Sequence, residues 1–269
     1  MDIITHTLSG VAVGTGISTF STKGLKSQVY VILLSGFGGF LPDFDAISLW
    51  TKFDKLFGKL FGLTHTGKEI YFSKFWYSHH GFFHSLLASL IISFLIGILL
   101  YLVKNIFIKS YNENLIGVFK NHKVIFSGII LGFILHLFGD MPTPSCVWGG
   151  VDLFWPSKTY IGGTGEIWWW NNYDIFLIIV GIILINLLII LSKQYLKIDI
   201  RKLTISLFLA GSILIFGQIK NRGFDFNYNG YTSNFNLYEQ KSKEIQKRIL
   251  GNRIYGLMVK FDKKIRMNF

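Results

Sequence analysis

Residues 83–103 contain one histidine and no acidic or basic side chain, and residues 175–191 and 203–219 contain no ionisable residue at all. In hydrocarbon a backbone must satisfy its own hydrogen bonds, so a run of roughly 17–25 apolar residues crosses the bilayer as a helix. These three runs commit the chain to a membrane. Shorter runs at 3–20, 28–41 and 124–139 are richer in glycine and polar residues, and suit a bundle in which neighbours cover them. Only 16% of residues are charged, against about a quarter in soluble domains, which points the same way. The expected fold class is all-α, a polytopic membrane helix bundle of about six transmembrane helices over residues 1–219. A basic, aromatic tail follows over residues 220–269.

Other classes fall away on composition. The chain opens Met-Asp-Ile-Ile-Thr-His without a basic leader region, so the first apolar run is expected to stay as a helix. Cys146 is the only cysteine, which rules out an intrachain disulfide and a cysteine-rich zinc cage. The net charge is +12, but the excess sits in loops and tail with no groove-reading motif, so anionic membrane lipid is the expected partner and no nucleic acid is expected. The glycines at 36, 38 and 39 read as close helix packing. Trp168–Trp170 read as a membrane-interface mark near the fifth helix, and Lys241–Arg248 as a stretch able to form a short amphipathic helix. Loops 21–27, 104–123 and 193–202 carry ten Lys/Arg against six in segments 42–82 and 140–173, which places the former in the cytoplasm. The tail, with eleven Lys/Arg, then lies on the other side and fits the rule less well.

Ionisable residues at or inside the spans are costly in lipid and are functional candidates for that reason. They are His6 in the first helix, Asp43 and Asp45 after the second, His79, His80 and His84 at the start of the third, and His136 and Asp140 at the end of the fourth. Helices alternate in direction. The start of one, the end of two, the start of three and the end of four therefore share one membrane face, and all these residues converge there.

His136 and Asp140 lie four apart and share a helix face, as His80 and His84 would if the helix reached back to them. Imidazole and carboxylate together suit zinc, with manganese or iron as alternatives; one or two ions are expected, and ligands in excess of four argue for more than one. Each residue alone has a plainer explanation. A membrane histidine often only hydrogen-bonds a neighbouring helix, and Pro42-Asp43-Phe44-Asp45 would serve as a turn or cap. It is their gathering on one face that favours a divalent metal. His65 and His122 are isolated and read as solvated.

The series Thr5-His6-x3-Gly10, Leu41-Pro42-Asp43-x-Asp45, His79-x-Gly81-x2-His84-Ser85 and His136-x3-Asp140-x2-Thr143-Pro144 resembles the YdjM-like inner-membrane metal-dependent hydrolases. Leu153-Phe154-Trp155-Pro156 matches as well, and the resemblance covers residues 1 to about 160. The family pattern His-Arg-Gly-x-Thr-His-Ser aligns with His79–Ser85, so His79 and His84 are the family histidines, while His80 replaces an arginine and Phe83 a threonine. The mix of His-x3-Asp with further His and Asp is also similar to the helical zinc phospholipase C and P1-nuclease group.

The resemblance implies a membrane-embedded hydrolase of the bacterial inner membrane, and the Lys/Arg count of the loops places the metal site on the extracytoplasmic face. His6, Asp43, Asp45, His79, His84, His136 and Asp140 would be ligands or their supports, with Asp45 or Asp140 as general base, and His80 and Thr143 near substrate. A phosphoester or lipid-linked substrate suits an interfacial site. The rival is a non-catalytic membrane protein, in metal handling, transport or envelope maintenance, whose cluster binds a passing ion or only locks helices.

Overall fold

A computed structural model describes residues 2–108, 113–143, 148–163, 171–193, 195, 199–222 and 235–265. Six apolar helices form the bundle: Ile3–Ser18, Leu25–Phe40, Leu86–Phe107, Lys123–Asp140, Tyr173–Leu191 and Ile200–Lys220. Among the described residues five of these helices are long and apolar enough to cross a membrane, the second extending as Leu25–Leu49, and Ile3–Ser18 is a shorter apolar helix. No strand occurs among the described residues; a lone bridge pairs Val151 with Ile161. The chain is an all-α membrane bundle.

Local capping sets where the helices begin. Asp2 accepts from the Thr5 amide at 2.9 Å and the Thr5 hydroxyl at 2.6 Å, which fixes the first turn and the direction of His6. Ser85 accepts from the Ala88 amide at 3.0 Å, so the third helix starts at Leu86 rather than at 83, and continues to Phe107. Asp199 caps the sixth helix through the Arg201 amide at 3.0 Å, three residues ahead of the expected start. The second helix passes through Pro42 into a 3₁₀ turn, Leu41–Leu49, which carries Asp43 and Asp45.

Helices one, two and four pack most closely, through small residues as membrane helices do. A Cβ on Gly39 would stand 2.5 Å from the His6 carbonyl oxygen, and one on Gly132 would press on the Ser35 carbonyl. The glycines that weaken helix two as an isolated helix are therefore where its neighbours approach. Helix five packs Ile175, Ile179, Ile182 and Ile183 against Ala12 of helix one. Outward apolar side chains such as Leu99 (61% exposed) and Ile213 (70%) form a surface suited to lipid tails.

The two ends of the bundle are distinct. At one, Lys23 reaches the Asn121 carbonyl at 3.0 Å and Arg201 lies over Phe20, so the short basic loops gather there as alternation requires. His122 is part-buried at that end and meets the Lys104 ammonium at 2.8 Å, rather than being simply solvated as the sequence suggested. At the other end lie the 3₁₀ turn, short helices within 54–71, and the loop 148–163. Trp168–Trp170, Cys146 and Pro144 fall outside the described residues.

The tail folds more than its sequence suggested. Phe235–Lys264 is helical on both sides of Gly251, whose φ of 71° and ψ of 163° break the axis. Gln246 accepts from the Tyr173 amide at 2.9 Å and donates to the Asn171 carbonyl at 2.9 Å, and Tyr173 Oη donates to Asp262 at 2.7 Å. These bonds dock the tail beside the start of helix five, at the second end of the bundle.

Candidate metal centre

The segments that alternation brings to one face meet side chain to side chain. His6 Nε2 lies 2.8 Å from Asp140 Oδ1, and the His6 ring stacks on His136 with centroids 3.6 Å apart. His136 Nε2 is 3.0 Å from Asp140 Oδ2 and 3.6 Å from Asp43 Oδ1. His84 Nε2 lies 3.6 Å from Asp140 Oδ2, while its Nδ1 is 3.4 Å from Asp45 Oδ2. His79 Nδ1 is 2.7 Å from Asp45 Oδ1. His6, His84 and His136 are fully buried.

Among the described residues three overlapping groups each offer ligand atoms within 4.8 Å of one another and could hold a metal ion: His79, His80 and His84; His6, His136 and Asp140; and Asp43, His84 and His136. His84 and His136 are shared, so the groups form one continuous cluster. Both ring nitrogens of His84, Nε2 of His136 and Nδ1 of His6 are buried without a hydrogen-bond partner among the described residues. Buried polar atoms are ordinarily satisfied, and the nitrogens of His84 and His136, which face the carboxylates of Asp43, Asp45 and Asp140, are the donor set a divalent cation takes. The residues fit a metal.

The supports are of the kind that fix a metal-binding imidazole. His136 Nδ1 donates to the Gly39 carbonyl at 2.8 Å, leaving Nε2 toward Asp43 and Asp140, and His80 Nδ1 donates to the Gly150 carbonyl at 2.7 Å. Thr143 bonds the Asp140 carbonyl through Oγ1 at 2.6 Å and closes that turn.

The YdjM inner membrane protein family matches residues 1–224. The chain belongs to that family. The match runs beyond the motif-bearing residues through helices five and six, and agrees with a multi-pass inner-membrane location. No curated protein and no solved structure matches the chain. The tail helix lies beyond the matched residues.

In this YdjM-family chain residues 79–84 are not part of the third helix. Phe82–His84 is a 3₁₀ turn and His80 has a φ of 65°, so the helical pairing of His80 with His84 does not hold. Position 80, where the family pattern has arginine, nonetheless carries an imidazole that joins the group. Its carbonyl accepts from the Asp152 amide at 2.9 Å, which holds the turn. Burial and then the neighbouring His79 and His84 charges push the His80 pKa well down. Burial lowers His84 too, despite Asp45. Burial also pulls on His79, but the charge and hydrogen bond of Asp45 outweigh it and leave that pKa raised.

Several residues here escaped the sequence reading. Trp148 stacks on His80 at 4.6 Å and donates to the Tyr71 carbonyl at 3.0 Å, while Tyr71 stacks on His79 at 4.5 Å. An excess of aromatic residues was visible, but nothing marked these two. Arg222, buried, pairs with Asp174 at 2.5 Å and Asn172 at 3.1 Å, and ties the end of helix six to the start of five. Asn186 sits inside an apolar run and donates to Thr15 Oγ1 at 2.9 Å. His65 stays exposed, against Phe75 and away from the cluster.

A cavity of about 650 Å³ opens beside the cluster. Asp43, His79, His80, Asp140 and Thr143 line it from the cluster, and the remaining wall is mostly apolar, with Leu49, Phe72, Phe176, Met258, Phe261 and Ile265 beside the polar Asp2, Asn171, Asn172, Tyr173 and Asp262.

Proposed function

We propose that the protein is a membrane-embedded metal-dependent hydrolase that acts on a phosphoester in a lipid-linked substrate. The observation that carries this reading is the wall of the cavity, where ligand-bearing Asp43, His79, His80 and Asp140 face a compartment otherwise largely apolar. A headgroup suits one end and an acyl chain the other. One or two divalent ions, zinc foremost, would be held by His79, His80 and His84 and by His6, His136 and Asp140, with Asp43 between them. When bound, such an ion supplies Lewis acidity to water and to a phosphoryl oxygen.

The chain's own residues then orient and move protons. Asp45 does not line the cavity and is engaged by His79, so its role is to hold that imidazole, as carboxylates behind metal-binding histidines do. The general base falls to Asp140 or Asp43, both of which reach the cavity. Thr143 keeps the Asp140 turn in place beside substrate. Trp148 and Tyr71 cover His79 and His80 and exclude water from their faces.

The test is elemental analysis of the detergent-purified protein, followed by a screen of phosphoester and phospholipid substrates. At least one equivalent of zinc, manganese or iron, with cleavage that tracks the metal content, is the expected result. A folded protein that takes up no offered metal would return the cluster to helix locking and end the hydrolase reading.

A further inference from the structure

The tail beyond Gly251 has three chemically different sides. On a helix, residues 254, 257, 258, 261 and 265 fall on one stripe, and they are Ile, Leu, Met, Phe and Ile. Tyr255 and Asp262 flank it on one edge, where they meet Tyr173 with a ring distance of 5.6 Å and the 2.7 Å hydrogen bond. Arg253, Lys260 and Lys264 flank it on the other and are exposed. The stripe itself is divided. Met258, Phe261 and Ile265 line the cavity, and Phe261 reaches Phe176 at 6.0 Å. Ile254, Leu257 and Phe261 are 46, 59 and 46% exposed.

An exposed apolar stripe with basic residues along one edge is the pattern of a helix lying in the boundary between headgroups and acyl chains. Here the opposite edge is pinned to the start of a membrane span, which sets the helix at that depth. One stripe thus faces both the surroundings and the cavity, and Phe261 belongs to both exposures. We propose that residues 252–265 form an interfacial wall that binds anionic phospholipid and presents it to the cavity. Arg253, Lys260 and Lys264 select the anionic headgroup, while Ile254 and Leu257 take the acyl chains. Phe261, with a share of both surfaces, marks the passage inward. The lipid contact stands apart from any catalysis; only the lipid's role as substrate rests on the hydrolase reading.

The experiment uses the full-length protein in phosphatidylcholine nanodiscs, with and without phosphatidylglycerol, and lipid probes of each class carrying a photoreactive acyl chain. Cross-linked peptides are mapped by mass spectrometry and metal content is measured on every sample. The phosphatidylglycerol probe is expected to label residues 252–265 and the Phe176 segment in preference to the phosphatidylcholine probe. In Arg253→Gln/Lys260→Gln/Lys264→Gln that preference should fall at least about tenfold, given roughly 1 kcal/mol for each basic residue near an anionic surface. Metal content should be unchanged, since none of the three touches the cluster. Equal labelling by both probes in the wild type, or none at these segments, overturns the proposal. An undiminished preference in the triple variant overturns it too. Labelling without cleavage of the probe leaves the lipid wall standing and counts against the hydrolase alone.

Discussion

His6 and His136, 130 residues apart in sequence, lie face to face with centroids 3.6 Å apart and planes 19° apart, and both engage the carboxylate of Asp140. Two buried imidazoles so close would repel if both were protonated, so the arrangement favours a shared, neutralising partner. Asp140→Asn keeps the volume and a hydrogen-bonding group but loses the charge. Metal affinity should drop by more than the roughly 10–100-fold typical of losing a supporting carboxylate, with thermal unfolding in detergent little changed. Unaltered affinity would exclude Asp140 as a ligand.

Asp45 makes the matched control. Because it bonds His79 from behind, Asp45→Asn should weaken metal binding by about 10–100-fold without abolishing it. A titration against a competing chelator separates this from the larger effect at Asp140.

The raised pKa of His79 predicts proton release. A ligand histidine must be neutral, so an ion has to displace the proton that Asp45 helps His79 to keep. Affinity should therefore fall as the pH drops through that raised value. Stability of the metal-free protein follows the opposite sign for this group: its contribution is present below the ordinary histidine value of 6.5 and is lost as pH rises through the raised one. His80 and His84, whose values are lowered, contribute above 6.5 and lose it on acidification. Calorimetric titration in buffers of differing ionisation heat counts the released protons; none released in the neutral range would count against His79 as a ligand.

His80 has left-handed backbone, which asparagine adopts more readily than alanine. His80→Asn should keep the fold and weaken metal binding, whereas His80→Ala should also lower the unfolding temperature. If His80→Asn retains full affinity, the imidazole at this position serves the turn and not the ion.

Gly39→Ala should destabilise by about 1–3 kcal/mol, the usual penalty for overpacking. Its new methyl would meet the His6 carbonyl, and its own carbonyl holds His136, so metal retention should suffer along with thermal stability.

Much of this arrangement was legible in the sequence because lipid restricts what a chain can do. Uncharged runs fixed the spans, alternation of direction fixed which residues share a face, and the cost of burying His6 or His136 singled them out. The precise start of the third helix was not legible, since the apolar run reaches back to Phe82 and only the cap at Ser85 stops it. The supports were hidden for a different reason. The Gly39 and Gly150 carbonyls are backbone groups that every residue carries, and they become specific only once the fold aims them. Asn186 was lost inside a strongly apolar run, where one amide barely alters the average yet joins helix five to helix one.

The docking of the tail against Tyr173 puts the residues that flank the bundle on both sides at the same end as the cluster. A reporter fused after the tail, or a cysteine introduced near Lys263 in a Cys146→Ser background and probed with an impermeant thiol reagent, would therefore reveal which compartment the cluster faces. The chemistry of the centre need not be touched to learn which aqueous pool, with its own pH and metal supply, it draws upon.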